Sequence, residues 1–245
     1  MLSTHERLTH LPAEWEPQSG TLITWPHPYS DWKDNLHDIE NVYINFSKAI
    51  CHHQQLLIIC FDEDHTDHVR ELLSTNNVDN RYKLIPCKTN DTWCRDYGPI
   101  TTCLNERLTL NNFIFNGWGN KYPAELDNAV NEQLHKQGLF GKIELLLHNF
   151  FLEGGSIDGD GQGTLLTTSH CLLKRHPDKN KKAINAILKA TLGAERILWL
   201  EHGELSGDDT DSHVDNLARF VNPETIVYCH CDDEQHPDYR SLRDM

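Results

Sequence analysis

The stretch GDDTDSHVDNLARF, residues 207–220, is the part of the sequence around which the rest of the chain is organised. It places four carboxylates and an imidazole in one loop and becomes apolar at Leu217, as the start of a strand would. If His213-Val214-Asp215 is extended, the side chains of His213 and Asp215 face the same side. The cluster therefore predicts a site that handles a cation, a metal ion or a proton, with a solvated acidic loop as the alternative.

Similar polar loops recur along the chain at a spacing of roughly 60 to 70 residues. They follow predicted strands near Trp25, Asp96, Glu153 and His213. Predicted strands alternate with predicted helices, which indicates an α/β fold. The near-constant period favours a repeated unit, and similar units around an axis would bring all four loops to one central pocket. Coincidence is the alternative, because four points fit many periods.

Hydrophobic patterning predicts the elements between these loops. Helices are predicted over residues 31–50, from Asp62 or Asp64 through Leu73, and over 124–137 and 180–192. Strands are predicted over residues 20–25, 55–60, 81–86, 100–104, 109–115, 142–147, 196–200, 217–221 and 225–229, with a hairpin around 158–161. Residues 90–99 and 116–119 are predicted to be turns, and the segment after residue 229 a polar tail.

The composition is typical of one globular domain. The chain has 245 residues, of which 38% are hydrophobic, including six Trp and eight Phe. No apolar run reaches the length of a membrane span, and residues 1–7 lack the apolar core of a signal peptide. These features predict a cytoplasmic protein whose eight cysteines are reduced thiols. No C-x-x-C pair is present, and Cys229-His230-Cys231 is interpreted as a strand end rather than a zinc site.

The net charge of −15 bears on the class of partner. Nucleic acid is not expected as a partner, because its phosphates would be repelled by an acidic protein. A small cationic substrate is compatible with the charge.

Four side chains in these loops suit the recognition and chemistry of a planar cation. Asp96 and Asp215 are short carboxylates beside strands, and each can accept a pair of N–H donors from a guanidinium group. Glu153 precedes two glycines that let the backbone turn sharply and leave the carboxylate facing a cleft. His213 is a natural partner for Glu153 in general acid–base chemistry.

Trp93 and Trp118 can wall the same pocket and pack on a flat cation. Ordinary structural explanations stand beside these functional ones. Arg95 and Asp96 can form a structural ion pair, Glu153 can be a turn carboxylate, and the tryptophans can belong to the core. A further alternative is a metal hydrolase whose ligands are His213, Asp215, Asp209 and Asp211.

Six motifs occur in one order along nearly the whole chain. They are PAEWE at 12–16, WPH at 25–27, NDTWCRDYGP at 90–99, FNGWG at 115–119, LEGGS at 152–156 and DTDSHVDN at 209–216. Through them the chain resembles the agmatine deiminase family, which is related to the bacterial peptidyl-arginine deiminases. The resemblance implies an α/β propeller with fivefold pseudosymmetry, which agrees with the period of the loops.

The resemblance also implies roles for the residues. Asp96 and Asp215 would bind the guanidinium group, while Glu153 and His213 would shuttle protons without a metal or other cofactor. The implied reaction converts agmatine to N-carbamoylputrescine and ammonia through an amidino-cysteine intermediate. Agmatine is preferred to peptidyl-arginine because there is no secretion signal and no arginine is evident that would hold a substrate carboxylate.

One motif of the family has no counterpart here. The family's nucleophile is a cysteine in a glycine-rich motif close to the C-terminus, and nothing after His213 matches it. Cys229 and Cys231 lack flanking glycines and are not assigned that role. The expectation is a single deiminase-like domain over residues 1–245, C-terminally truncated, with about four of five repeats and exposed strand edges that favour a homo-oligomer. The alternatives are an inactive guanidinium-binding remnant and a peptidyl-arginine deiminase-like enzyme.

Overall fold

The computed structural model describes residues 9–245, so residues 1–7, which lack a signal-peptide core, lie outside the described residues. Contacts divide the chain into two compact units. One contains the residues up to Glu16, Pro99–Tyr122 and Phe140–Met245, and the other contains Pro17–Gly98 and Pro123–Leu139. Within residues 9–245, none of the helices combines the length and the apolar character needed to cross a membrane.

Strands and helices alternate along the described chain, and the fold is α/β. The strands are β1 Gly20–Thr24, β2 Gln55–Cys60, β3 Tyr82–Pro86, β4 Ile100–Leu104, β5 Arg107–Ile114, β6 Glu144–Phe151, β7 Ile157–Gly159, β8 Thr164–Thr168, β9 Arg196–Leu200, β10 Ala218–Asn222 and β11 Thr225–Tyr228. The helices are α1 Leu36–His53, α2 Glu63–Thr75, α3 Cys94–Tyr97, α4 Gly117–Asn120, α5 Glu125–Lys136, α6 Ser169–Arg175, α7 Lys181–Leu192 and α8 Tyr239–Asp244.

The unit formed by Pro17–Gly98 and Pro123–Leu139 is built on the parallel sheet β1-β2-β3. Parallel neighbours need crossover connections, and α1 and α2 provide them. The Asp62 side chain caps α2 by accepting the His65 N–H at 2.9 Å. Apolar side chains from the sheet and both helices form the core, among them Trp25, Ile44, Leu56, Ile58, Val69 and Leu73.

The other unit contains three sheets with a shared pattern. In both β4-β5-β6 and β7-β8-β9, an antiparallel hairpin is followed by a strand parallel to the second strand of the hairpin. The pair β10-β11 repeats the hairpin. This recurrence agrees with the repeated unit expected from the spacing of the loops, while the fivefold propeller stays a prediction.

Helices α6 and α7 pack on the sheet β7-β8-β9. The apolar face of α7 presents Ile184, Leu188 and Leu192, which are four residues apart and fully buried. Gly193 ends α7 with a left-handed φ of 70°, and a Cβ at this position would lie 1.6 Å from the carbonyl oxygen of Thr9. Only glycine therefore allows the chain to turn here.

Three local predictions were wrong. The predicted turn over residues 90–99 contains the short helix α3, and α6 and α8 occupy segments for which no helix was predicted. The segment His213–Asp215 is not extended, because Val214–Asn216 forms a 3-10 helix. Its backbone closes with hydrogen bonds from Leu217 N–H to Val214 O at 2.9 Å and from Asn216 N–H to His213 O at 3.3 Å.

Candidate active site

Glu153 follows β6 and enters the unit's interior at a tight turn. Its backbone oxygen accepts hydrogen bonds from the Ser156 N–H at 3.0 Å and the Ser156 hydroxyl at 2.6 Å. These bonds close the 3-10 helix Gly154–Ser156 and fix the direction in which the Glu153 side chain leaves the chain. The residue is only 1% exposed. A buried carboxylate is costly unless other groups satisfy it, so its neighbours define the site.

His213 is positioned by the loop that precedes it. Asp208 accepts N–H groups from Thr210 at 2.9 Å and from Ser212 at 2.5 Å, which curls the loop around its carboxylate. Asp211 and Ser212 both adopt a left-handed φ of 66°. The His213 N–H donates to the Thr210 hydroxyl at 3.2 Å, and the residue is 1% exposed.

The imidazole of His213 has the electrostatic surroundings of a proton-transfer group. Burial lowers its pKa below the usual value, while Glu153 and Asp215 act in the opposite direction. The lowered pKa keeps the ring neutral near pH 7, so that it can accept a proton. Asp215 is half-buried in the 3-10 helix that follows. Glu153 and Asp215 thus act on His213 although the backbone is not extended as predicted, and a shared substrate pocket stays a prediction.

A third chemically active side chain lies beside this pair. One donor atom from each of Glu153, Cys171 and His213 lies within 4.8 Å of the others, and all three residues are buried. Cys171 comes from the first turn of α6, where its N–H donates to the Thr168 hydroxyl at 3.2 Å. The same hydroxyl donates to Ser212 O at 2.7 Å, which ties the start of α6 to the loop before His213.

Arg175, at the end of α6, is a fully buried guanidinium group in contact with Glu153. Its Nε donates to Glu153 Oε1 at 2.6 Å, its Nη1 to Asp211 Oδ2 at 2.6 Å, and its Nη2 to the Thr210 carbonyl at 2.9 Å. Burial works to lower the pKa of Arg175, but the two carboxylates outweigh it and raise the pKa. Arg175 is therefore a permanent positive charge that orients Glu153.

Asp211 is the anionic centre of a cationic cluster. Its carboxylate accepts from Arg175, from Lys174 and, at 2.8 Å, from Lys121. Burial alone would raise the pKa of Asp211, but these donors dominate and lower it. Asp209 accepts the Tyr122 hydroxyl at 2.7 Å. Because three cations surround Asp211, the structure does not favour the hydrolase alternative in which Asp209 and Asp211 are metal ligands.

The sequence reasoning missed Arg175, Cys171 and the role of Asp211. Cys171 and Arg175 lie in α6, and Asp211 is bound by Arg175 of that helix. The seven residues of α6 are too few to give a helical apolar pattern. One signal was available at Thr168, the last residue of β8, because threonine is a good N-cap residue.

Trp118 is buried among aromatic residues of its own unit. Its ring makes edge contacts with Phe115 at 5.0 Å and with Tyr122 at 5.7 Å between centroids. The adjacent Gly119 has a φ of 87°, and a Cβ there would lie 3.1 Å from Nη1 of Arg175. The glycine thus permits the close approach of the buried arginine. Packing of Trp118 on a substrate cation stays a prediction.

Asp96 and Trp93 belong to the unit formed by Pro17–Gly98 and Pro123–Leu139. Asp96 lies in α3 and is 8% exposed, with its N–H bonded to Trp93 O at 2.9 Å. Trp93 is 41% exposed, and its ring lies 6.0 Å from that of Trp32. Their participation in one pocket with Glu153, His213 and Asp215 stays a prediction.

The buried carboxylate–imidazole pair of this α/β fold lies in the LEGGS and DTDSHVDN motifs. The chain belongs to the Porphyromonas-type peptidyl-arginine deiminase family, whose model matches residues 10–245. It is 32% identical to an agmatine deiminase of Medicago truncatula over 94% of this chain and 63% of that protein. An agmatine deiminase of Ectopseudomonas mendocina is also 32% identical, over 94% of this chain and 62% of that protein.

Solved structures of agmatine deiminases are also similar to this chain. A variant of the agmatine deiminase of C. jejuni with substrate bound superimposes with a TM-score of 0.88 at 40% identity, covering 97% of this chain and 69% of that chain. The agmatine deiminase of Enterococcus faecalis matches with a TM-score of 0.85 at 28% identity, covering 96% and 64%. The chain thus spans 62–63% of the length of the two curated relatives.

Proposed function

We propose that the protein acts as a deiminase on the guanidinium group of agmatine, giving N-carbamoylputrescine and ammonia. The observation that carries this proposal is the proximity of Glu153 and His213, each 1% exposed, within motifs shared with the family. A neutral imidazole beside a fixed carboxylate is suited to proton transfer near pH 7. The names of the curated relatives support agmatine as the substrate.

The proposed chemistry is covalent. A thiolate attacks the guanidinium carbon, and His213 passes the thiol proton to the departing ammonia. A water molecule activated by His213 and Glu153 then hydrolyses the amidino-thioether and releases N-carbamoylputrescine. Asp96 and Asp215 would hold the N–H groups that flank the carbon, and Trp93 and Trp118 would flank the cation. None of the eight cysteines of this sequence is assigned as the nucleophile.

The same proposal extends to the fold symmetry, the domain, the pathway, the cellular location and the partners of the protein. We infer a fivefold pseudosymmetric α/β propeller, one deiminase-like domain that includes residues 1–245, and a role in polyamine biosynthesis in the cytoplasm. The recurring hairpin and parallel strand support the repeat. The protein is proposed to bind no nucleic acid, because of its net charge of −15, and to form a homo-oligomer.

The second candidate is a site that binds a guanidinium group without turnover. It is favoured by the lack of a cysteine that matches the family's nucleophile motif. Both candidates require that the protein binds a guanidinium group. A protein that has lost the site would not bind one.

A comparison of three ligands tests this recognition. Agmatine, putrescine and free arginine are titrated into the protein at low salt and followed by calorimetry. Agmatine should bind on the order of millimolar, about −4 kcal/mol, because Asp215 is half-buried and water weakens its ion pairs. Putrescine, which has no guanidinium group, and arginine, whose carboxylate faces acidic residues, should each bind at least about tenfold more weakly. Equal affinity for agmatine and putrescine would contradict the proposal.

A further inference from the structure

We propose that Glu153, Cys171 and His213 form a binding site for a zinc-type transition-metal ion. Their donor atoms lie within 4.8 Å of one another, and the residues are 1%, 0% and 1% exposed. Metal binding itself is independent of the proposed deiminase function. Its consequence, the blocking of proton transfer by Glu153 and His213, rests on that function.

The three ligands come from three separately anchored segments. Glu153 is fixed by Ser156, and His213 by the Thr210 hydroxyl. The first turn of α6, which carries Cys171, is tied to the His213 loop through Thr168. Because these hydrogen bonds join serine and threonine hydroxyls to the backbone of the three segments, they hold the segments in place without a bound ion. A preformed site of this kind loses little conformational entropy when an ion binds.

The donor set selects the class of metal. A thiolate, an imidazole nitrogen and a carboxylate oxygen are the ligand types found around Zn²⁺, whereas Mg²⁺ and Ca²⁺ prefer oxygen alone. Zinc bonds of about 2.0–2.3 Å place tetrahedral ligands roughly 3.3–3.8 Å apart. The observed limit of 4.8 Å therefore requires an inward movement of about 1 Å, which side-chain rotation supplies. The fourth position would belong to water or another small ligand.

A second observation points to a ligand at this place. Arg175 uses only Oε1 of Glu153, and Oε2 is buried without a hydrogen-bond partner among the described residues. A buried carboxylate oxygen of this kind costs about 1–3 kcal/mol, and more when charged, unless a donor or an ion satisfies it. A metal ion bound to Oε2 would supply that missing interaction.

The charges around the cluster are compatible with a divalent cation. The positive charge of Arg175 is shared with Asp211, and Arg175 fixes the carboxylate of Glu153 as residues behind a metal ligand commonly do. Ionised Glu153 and a Cys171 thiolate would neutralise the two charges of the metal. Binding would release the thiol proton to solvent.

Occupation of the site would stop the proposed proton transfers. The metal would take one nitrogen lone pair of His213 and the Oε2 atom of Glu153, so neither residue could accept a proton at that atom. A soft divalent ion would therefore act as a reversible inhibitor of the site.

Cobalt(II) spectroscopy tests the binding. A variant with Cys229→Ser and Cys231→Ser serves as the parent, because these two exposed or half-buried thiols flank His230 and offer a competing site. One equivalent of Co²⁺ should give a thiolate-to-cobalt absorption in the near ultraviolet, which one equivalent of Zn²⁺ then displaces. Adding Cys171→Ser should abolish this absorption. Absence of the band in the folded parent, or its persistence with Cys171→Ser, would overturn the proposal.

A second variant keeps the result interpretable if Cys171→Ser impairs folding. Glu153→Gln preserves the size of the side chain, and it should weaken Co²⁺ binding by at least about tenfold while the thiolate band remains. Unchanged affinity would remove Glu153 from the site and contradict the proposal. The cobalt measurements need no agmatine, so they succeed or fail independently of the deiminase activity.

Discussion

Two consecutive residues before His213 carry backbone strain. Asp211 and Ser212 both have a φ of 66°, a region that costs side-chain-bearing residues about 1 kcal/mol or more. At Asp211 the ion pairs with Arg175, Lys174 and Lys121 offset the cost of this backbone conformation. Ser212 is buried, but it contributes mainly through its backbone, which accepts from Thr168 and donates to Asp208. The strain is thus concentrated where the loop delivers the imidazole.

Ser212→Gly should therefore raise the free energy of unfolding by about 0.5–1 kcal/mol, because glycine adopts this backbone conformation without strain. Urea denaturation measures the change. Ser241→Gly in α8 is the contrasting variant, and it should lower stability because the Ser241 hydroxyl accepts the Gly203 N–H at 3.0 Å. A loss of stability with Ser212→Gly would show that the serine side chain has an essential contact.

Arg175 is the residue whose removal should disturb the site most. Arg175→Gln leaves Glu153 and Asp211 buried with less compensating charge, and it should lower the free energy of unfolding by about 3–5 kcal/mol. Arg243→Gln, at an exposed pair with Asp244, should leave it nearly unchanged. Urea denaturation of the two variants gives the comparison. Equal effects would mean that the buried cation does not hold the site together.

At the scale of elements, the prediction succeeded where a pattern was long enough. The existence of α1 and α7 and the hairpin of β4 and β5 were predicted correctly, and the strands over 55–60 and 196–200 have the bounds of β2 and β9. The buried face predicted for α1 was partly wrong, because Val42 and Phe46 are exposed. Asp62, one of the two predicted cap candidates, is the N-cap residue of α2, and Asn180, with which the last predicted helix begins, is the N-cap residue of α7. The four-residue α3 and the seven-residue α6 gave no periodic signal, because so short a helix depends on its tertiary contacts.

The start of α5 contains a carboxyl group that should make stability depend on pH. Asp127 is 1% exposed, and burial raises its pKa to about 7, although the N–H groups of Asn90 and Asp91 act in the opposite direction. An unfolded aspartate ionises near pH 4. The folded protein therefore keeps a proton that the unfolded chain has lost, and this contribution to stability disappears as the pH rises from about 4 to about 7.

Asp127→Asn should remove this dependence, since the amide oxygen can accept the same N–H groups and does not ionise. Relative to the wild type, the variant should gain about 1–3 kcal/mol between pH 4 and pH 8. Urea denaturation at several pH values measures the gain, and the exposed Asp79→Asn in the same unit is the control. Parallel curves for wild type and Asp127→Asn would exclude a neutral Asp127 in the folded state.

At the scale of the whole molecule, the motifs were more informative than composition. They singled out Glu153 and His213, which the structure brings close together, while the roles of Glu153, His213 and Asp215 stay predictions. The prediction that His213 and Asp215 lie on one side of an extended strand was wrong, because Val214–Asn216 forms a 3-10 helix. The contacts of Arg175 could not be foreseen, because they join residues 22 and 36 positions apart in the sequence.

The proposed turnover requires a thiol, and none of the eight cysteines of this sequence is assigned that role. We expect residues 1–245 alone to release no ammonia from agmatine at steady state. The measurement is ammonia and N-carbamoylputrescine release by the purified chain. Steady turnover that disappears with Cys171→Ala, Cys229→Ala or Cys231→Ala would identify that cysteine as a nucleophile and contradict this expectation.

The proposed function requires a guanidinium-recognition site in which Asp215 acts together with the His213–Glu153 pair. Calorimetric titration of agmatine at low salt into wild type, Asp215→Asn and the exposed control Asp178→Asn tests it most directly. We expect weak binding, on the order of millimolar, to the wild type and to Asp178→Asn, and no measurable binding to Asp215→Asn. Binding that is indifferent to the Asp215 substitution would contradict it.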